Sequence, residues 1–251
     1  MRPRACLTLP LGRRSPTRLG GVAMRRLLVL ALLVAALPRG LAAQGALDVT
    51  LSADRTAYPE GAPVTLTLIA RNRGDAPLTL TFPTSQLFDV AIGPPDSPAV
   101  VWRWSQGQFF TQAVTTRRLA PGEALTLTAT WDQRNQAGLQ VPTGVYAAIG
   151  VLLSEGRPTA GPVRFVIGEE QALPGPGCVT VRSAFPNGTP IEVVAGAISP
   201  ADALLAIWRM EGNGWLGWTR AADAPVNLRT VGFGDRLRLC LSGPARWITP
   251  V

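Results

Sequence analysis

All-β is the fold class this sequence predicts: an immunoglobulin-like antiparallel sandwich followed by a small disulfide-closed β domain. Three observations predict it. From Ala46 to Gly168, apolar and polar residues alternate with a period of two in one short segment after another, without a convincing 3.6-residue pattern. Turn signals separate these segments. After a Pro/Gly-rich stretch the composition shifts towards tryptophan, and Cys178 and Cys240 bracket most of this last part of the chain.

The first 43 residues read as an export signal region. Met24, Arg25 and Arg26 form a positive start, and Leu27 to Leu37 is an apolar run of signal-peptide length, too short for a comfortable membrane span. Pro38 to Ala46 then supplies a helix breaker and small residues, with cleavage frames ending at Ala42, Ala43 or Gly45. No cysteine follows the run, which argues against a lipid anchor. Residues 1–23 are Arg- and Pro-rich and precede a second methionine, so translation is read as starting at Met24. The alternatives are a long leading region on the same signal and an uncleaved anchor. The expected location is secreted or periplasmic, with no membrane span after signal removal.

Charge points the same way. The chain has a formal net charge of +8, with 24 basic residues, all arginine, 16 acidic residues and no histidine. Eight arginines and no acids lie before Gln44; without them, 16 basic residues face 16 acidic ones. No basic stripe remains for phosphates, so nucleic acid is excluded as a partner.

The sandwich is expected over residues 46–168. Leu47 to Ala53 alternates; Val64, Leu66, Leu68 and Ala70 share one face; Leu78 to Phe82, Phe88 to Ile92 and Leu125 to Trp131 repeat the period. Gly144 to Leu153 and Val163 to Gly168 complete the set. Pro59-Glu60-Gly61, Asn72-Arg73-Gly74, Pro94-Pro95-Asp96, Pro121-Gly122-Glu123 and Pro142-Thr143-Gly144 are the turns. The length suits an immunoglobulin-like domain, but the Cys…Trp…Cys pattern of antibody domains is missing.

Residues 169–177 read as a linker, and 178–251 as a small Trp-rich β domain. Leu204 to Arg220 is a hairpin turning at Glu211-Gly212-Asn213-Gly214, and Val231 to Gly243 is a second arm reached through a Gly-Asp turn. Ser199 to Ala206 is open between strand and the start of a short helix. Asn187-Gly188-Thr189 fits a glycosylation sequon and, first of all, a turn. In an oxidising compartment Cys178 and Cys240 are expected to pair, for at most ~4 kcal/mol in the chain-entropy model. The alternative is two buried thiols.

The chemistry that is missing is informative. Without histidine there is no Ser-His-Asp or Cys-His catalysis and no His metal site; without lysine there is no Ser-Lys or Schiff-base route. Asp89 and Asp132 are the best case for a glycosidase pair, but each also fits a strand end or turn. No catalytic residue, metal ligand or cofactor is assigned, and the protein is read as a non-enzyme.

The stretch Val100 to Val114, "VVWRWSQGQFFTQAV", reads as strand, turn, strand. Trp102 and Trp104 fall on one face and Arg103 on the other; Gln106-Gly107 permits reversal; Phe110, Gln112 and Val114 share a face on the return. Core packing accounts for Trp102, Trp104 and Phe110.

Six ordered blocks around this stretch carry a resemblance. "LFDV" (Leu87 to Val90), "VWRWS" (Val101 to Ser105), "FTQAV" (Phe110 to Val114), "LAPGE" (Leu119 to Glu123), "TWDQ" (Thr130 to Gln133) and "VPTGVY" (Val141 to Tyr146) stand in the order and spacing of the intracellular proteinase inhibitor family, the BsuPI-type domain. The segment from Leu47 to Ile167 resembles that family. The resemblance implies an immunoglobulin-like sandwich that inhibits serine proteases, chiefly of the subtilisin type. The export signal and the C-terminal domain depart from it, and no reactive bond is carried over.

An inhibitor needs an exposed, pre-formed segment for a protease cleft. Ser105, Gln106, Gly107, Gln108, Phe109 and Phe110 are the first contact candidates, and Arg117 and Arg118 the second, as a basic pair suited to trypsin-like enzymes. The alternative is a carbohydrate- or envelope-binding protein stacking sugars on Trp208, Trp215 and Trp218, or a purely structural surface module.

Overall fold

Alternating burial turns the period-two segments into strands. In the computed structural model, which describes residues 45–221 and 226–251, the first half forms β1 (Leu47–Ala53), β2 (Ala57–Pro59), β3 (Val64–Asn72), β4 (Leu78–Phe82) and β5 (Phe88–Gly93). There follow β6 (Trp102–Arg103), β7 (Thr115–Leu119), β8 (Ala124–Trp131), β9 (Gly144–Leu152) and β10 (Thr159–Leu173). The expected signal region 1–43, with Met24 and the apolar run, lies outside the described residues.

β3 shows why the pattern works. Val64, Leu66, Leu68 and Ala70 are fully buried while the residues between them are not. β3 sits between β1 and β8 in an antiparallel sheet, with Leu68 opposite Leu51 on one side and Leu127 on the other. The facing layer is built from β10, β9, β5 and β6, and a separate ladder joins β4 to β7. Between the layers lies a first core that includes Tyr58, Trp131, Tyr146 and Phe165. Their rings meet edge-on or stacked at centroid distances of 5.6–6.3 Å, the arrangement aromatic quadrupoles favour. The Pro121-Gly122 turn closes as type II: Gly122 has φ +78° and Glu123 N–H donates to Ala120 O at 3.0 Å.

The second half forms β11 (Gly177–Arg182), β12 (Thr189–Pro190), α1 (Ile191–Gly196), β13 (Ile198–Ser199), a single 3₁₀ turn (Ala201–Ala203), β14 (Leu204–Glu211), β15 (Gly214–Thr219), β16 (Thr230–Val231), β17 (Arg236–Leu241) and β18 (Ala245–Thr249). β14 and β15 make the expected hairpin, with Glu211 opposite Gly214. Cys178 and Cys240 are joined, opposite one another on β11 and β17 with Cα atoms 4.0 Å apart. A second core gathers Phe185, Ile191, Val194, Ile207, Leu237, Leu239 and Trp247.

Three local expectations need correction. Residues 169–177 are not a free linker: Glu169–Leu173 is the second half of β10 and pairs with β18, so a seven-stranded sheet reaches from one core into the other. Two glycines in and beside this stretch serve close approach rather than flexibility. A side chain at Gly168 would strike the Thr249 carbonyl, and one at Gly175 the Gly243 carbonyl. Ala57, Val145 and Val166 from the first half also pack in the second core. The Val231–Gly243 arm is not a hairpin: β16 pairs with β12, while β17 lies between β11 and β14. Sequence reading also missed α1, whose Ile191, Val194 and Ala195 turn inwards at helical spacing over a span too short for a periodicity window.

Candidate functional site

The first-choice contact segment leaves the sandwich at the edge strand β6, which pairs only with β5. Its base is fixed by a carboxylate. Asp89, on β5, is buried; one of its oxygens accepts from Arg103 Nη1 at 3.0 Å and Ser105 Oγ at 2.8 Å, the other from Ser105 N–H at 3.1 Å. The chain then reverses. Gly107 has φ +77°, Gln106 N–H donates to Arg103 O at 3.2 Å and Gln108 N–H to Ser105 O at 3.1 Å.

Beyond the turn the expected return strand does not form: Phe110–Val114 has no ladder partner. The segment is held at points instead. Phe110 rests on Trp104 at 5.9 Å, and Trp104 on Phe88 at 4.1 Å. One residue later, Thr111 N–H donates to Ser85 Oγ at 2.9 Å and Thr111 O accepts from Ser85 N–H at 3.0 Å. Between the turn and these anchors, Phe109 is 100% exposed. An apolar ring left in water forgoes roughly 1.5–3 kcal/mol that burial would supply.

The adjacent aromatics divide by role. Trp102 packs towards Trp131 at 6.1 Å and Trp104 towards Phe88, both partly buried against the first core. Arg103 points the other way, to Asp89. Sequence reading weighed Asp89 as an acid with Asp132 or as a strand-end or turn residue; the structure engages Asp89 with Arg103 and Ser105, and sets Asp132 beside the Arg134 guanidinium at 3.9 Å. The missed signal was a charged residue inside the apolar run Phe88 to Ile92.

Residues 51–156 match the model of the intracellular proteinase inhibitor family, BsuPI. The match contains the whole loop from Asp89 to Thr111 and ends before β10 and the C-terminal half, which supply most of the second core. No curated protein matches the sequence. Among solved structures, the chain is similar to Spo0M, a sporulation control protein from Bacillus subtilis: 17% identity over 49% of this chain and 49% of that one, with a TM-score of 0.32. It is also similar to the β-glucosidase EmGH1 from Erythrobacter marinus, at 14% identity and a TM-score of 0.30 over 48% of this chain, and it spans only 15% of that enzyme.

The second candidates, Arg117 and Arg118, also fall within the BsuPI match but differ in setting. They lie inside β7, opposite Leu80 and Thr79 of β4. Consecutive strand residues point to opposite faces, so the two guanidiniums do not present one basic pair. Trp208, Trp215 and Trp218 do not form one platform either. Trp208 and Trp215 lie on the outer face of the sheet β11-β17-β14-β15, whereas Trp218, opposite Ile207, packs against the second core. The sequon residue Asn187 accepts Phe233 N–H at 3.0 Å through Oδ1. Among the described residues no group of three or more His, Cys, Asp or Glu could hold a metal, and no helix is long and apolar enough to cross a membrane.

Proposed function

We propose that the protein is an exported inhibitor of serine proteases of the subtilisin type, acting through the loop Ser105–Phe110 without chemistry of its own. The observation that carries this reading is Phe109: fully exposed, between a turn fixed by Asp89 and the anchors Phe110 and Thr111, inside the segment that matches an inhibitor family. A loop already held in place avoids ordering costs of roughly 0.5–1.5 kcal/mol per side chain on binding. A protruding aromatic suits a protease pocket that takes large apolar side chains. A contact of standard size buries about 1,600 Å² in total, so neighbouring turns such as Pro94–Pro98 contribute. Export is supported by the Cys178–Cys240 disulfide and the signal-like start of the sequence.

The test is titration of the folded, secreted protein against subtilisin and against a trypsin-like protease. Subtilisin is inhibited more strongly, and Phe109→Ala weakens inhibition by about ten- to a hundredfold, as loss of a central aromatic anchor does, without lowering the melting temperature. Trp104→Ala lowers the melting temperature. No inhibition by folded, uncleaved protein at micromolar concentration overturns the proposal in favour of a structural surface module. Unchanged inhibition by Phe109→Ala discards this loop.

A further inference from the structure

The sheet β11-β17-β14-β15 buries only one of its faces. Val179, Leu239, Ile207 and Trp218 are successive cross-strand partners that face the second core. On the other face Thr180, Arg238, Trp208 and Gly217 are successive partners, and one step along the strands Arg182 lies opposite Arg236 and Met210 opposite Trp215. The three arginines, Met210 and Trp215 are exposed, and no acidic residue lies among these partners.

Two features of this face have no account in the fold itself. Like charges directly opposite one another destabilise a ladder, yet Arg182 faces Arg236, with Arg238 diagonal to Arg182. None of these three guanidiniums has a hydrogen-bond or ion-pair partner among the described residues. Arg209, on the inner side of the same sheet, pairs with Asp235 at 2.8 Å. The second feature is the setting of Trp208. A side chain at Gly217 would collide with Cζ3, Cε3 and Cη2 of the Trp208 ring. The indole therefore lies flat on the glycine and offers its other face outwards, beside Trp215, which is 47% exposed.

We propose that this face binds an acidic polysaccharide, with Arg182, Arg236 and Arg238 pairing with its anionic groups and Trp208 and Trp215 stacking on its sugar rings. Four strands at a spacing of about 4.8 Å make a platform roughly 15 Å wide, a path for an extended polymer rather than a pocket for a small molecule. Trp208, laid flat on Gly217, presents a ring face for stacking rather than a protruding wedge. The Cys178–Cys240 disulfide borders the same face; disulfides persist in oxidising compartments outside the cytoplasm, which favours a glycan over nucleic acid as the polyanion. The proposal stands on the second core alone and is independent of protease inhibition.

The experiment is tryptophan-fluorescence and calorimetric titration of the full secreted protein with alginate, with neutral dextran as control, at low and high salt. Alginate binds and dextran does not, and binding weakens as salt rises. Arg236→Gln combined with Arg238→Gln weakens alginate binding at least tenfold while the melting temperature holds or rises, because a repulsive pair has been relieved. Trp215→Ala, at an exposed position, weakens it similarly without unfolding. Equal binding of dextran, no binding of alginate, or full binding by the double Arg variant overturns the proposal. So does tighter binding to anionic phosphatidylglycerol vesicles or to a single-stranded oligonucleotide than to alginate.

Discussion

Two aromatic rings, one beside each core, meet the solvent in opposite ways. The first core carries its exposed aromatic at the tip of a pinned loop, where Phe109 stands clear of everything around it. The second also exposes Phe233, in the turn before β17, but lays Trp208 flat on Gly217 in a regular sheet. A protruding ring fits a cleft and a flat ring fits a surface, which is the basis for the two different partners proposed above, where composition alone lumps both rings together as exposed aromatics. The cores also differ in what holds them. The first has a cluster of four mutually packed rings and both tyrosines of the chain; the second has the disulfide and no tyrosine. Yet β10 runs through both, so the comparison is breakable: perturbing one core tests whether the other stands without it.

The largest effect is expected at Trp131. It is fully buried, contacts Trp102, Tyr146 and Phe165, and its Nε1–H donates to Arg134 O at 2.7 Å. Trp131→Ala should cost about 3–5 kcal/mol, read by urea denaturation. If β10 couples the cores, the second core melts in the same transition; if not, a folded C-terminal portion with its disulfide survives at intermediate urea.

Next comes reduction. Cys178–Cys240 closes a separation of 62 residues, for which the chain-entropy model gives roughly 4 kcal/mol. Cys178→Ser with Cys240→Ser should lower the stability of the second core by about 2–4 kcal/mol while leaving the loop at Phe109, and the protease inhibition proposed for it, intact at room temperature. Loss of inhibition by the reduced but folded protein would show that the loop depends on the second core.

A smaller effect is expected at Asp89. Asp89→Asn keeps an acceptor but turns an amide towards Arg103 or Ser105. Arg103 is about half exposed and recovers hydration, so the cost is about 1–2 kcal/mol rather than that of a buried ion pair. The informative readout is backbone hydrogen exchange at Ser105–Gln108, which should accelerate while β3 remains protected. Unchanged exchange there would mean that the turn holds itself.

How much of this was legible in the sequence depends on how local each feature is. Strands such as Val64–Asn72 were legible because burial on one face imposes a period of two on the residues themselves. The Glu211-Gly214 turn was legible because a two-residue hairpin needs residues tolerant of positive φ, and Gly212 adopts +58°. The stretch Gly168–Gly177 misled because a glycine needed for close backbone approach is written identically to one in a flexible linker; Thr249 and Gly243 come from far along the chain. The base of the loop depends on Asp89 and Ser105, 16 residues apart, meeting through the pairing of β5 with β6, which no local pattern encodes. The tryptophans are a different case. Trp215 and Trp218, three apart on one strand, must face opposite ways, and their spacing alone carries that parity.

The smallest effect follows from where the tyrosines lie. Tyr58 is fully buried, donates to Asp54 Oδ1 at 2.7 Å, and its hydroxyl is held far above the ordinary range, first by burial and then by that hydrogen bond. Burial raises Tyr146 too, and its hydroxyl donates to Pro142 O at 2.7 Å. Raised folded values mean that the neutral forms stabilise the first core fully below the unfolded value, about pH 10. Above it the unfolded chain releases protons that the folded core retains, so stability falls with pH, by at most about 1.4 kcal/mol per pH unit for each tyrosine. The second core contains no tyrosine and should not respond. Thermal melts from pH 9 to 11 should therefore show a falling midpoint for the near-ultraviolet signal of the first core, and Tyr58→Phe should flatten that fall. Disulfide exchange also quickens in alkali, so the melts need the Cys178→Ser, Cys240→Ser background as control. A slope that persists undiminished when Tyr58 is phenylalanine and Tyr146 is the only remaining tyrosine would place the alkaline sensitivity at Tyr146. A melt insensitive to pH would mean that neither hydroxyl is held neutral by the fold.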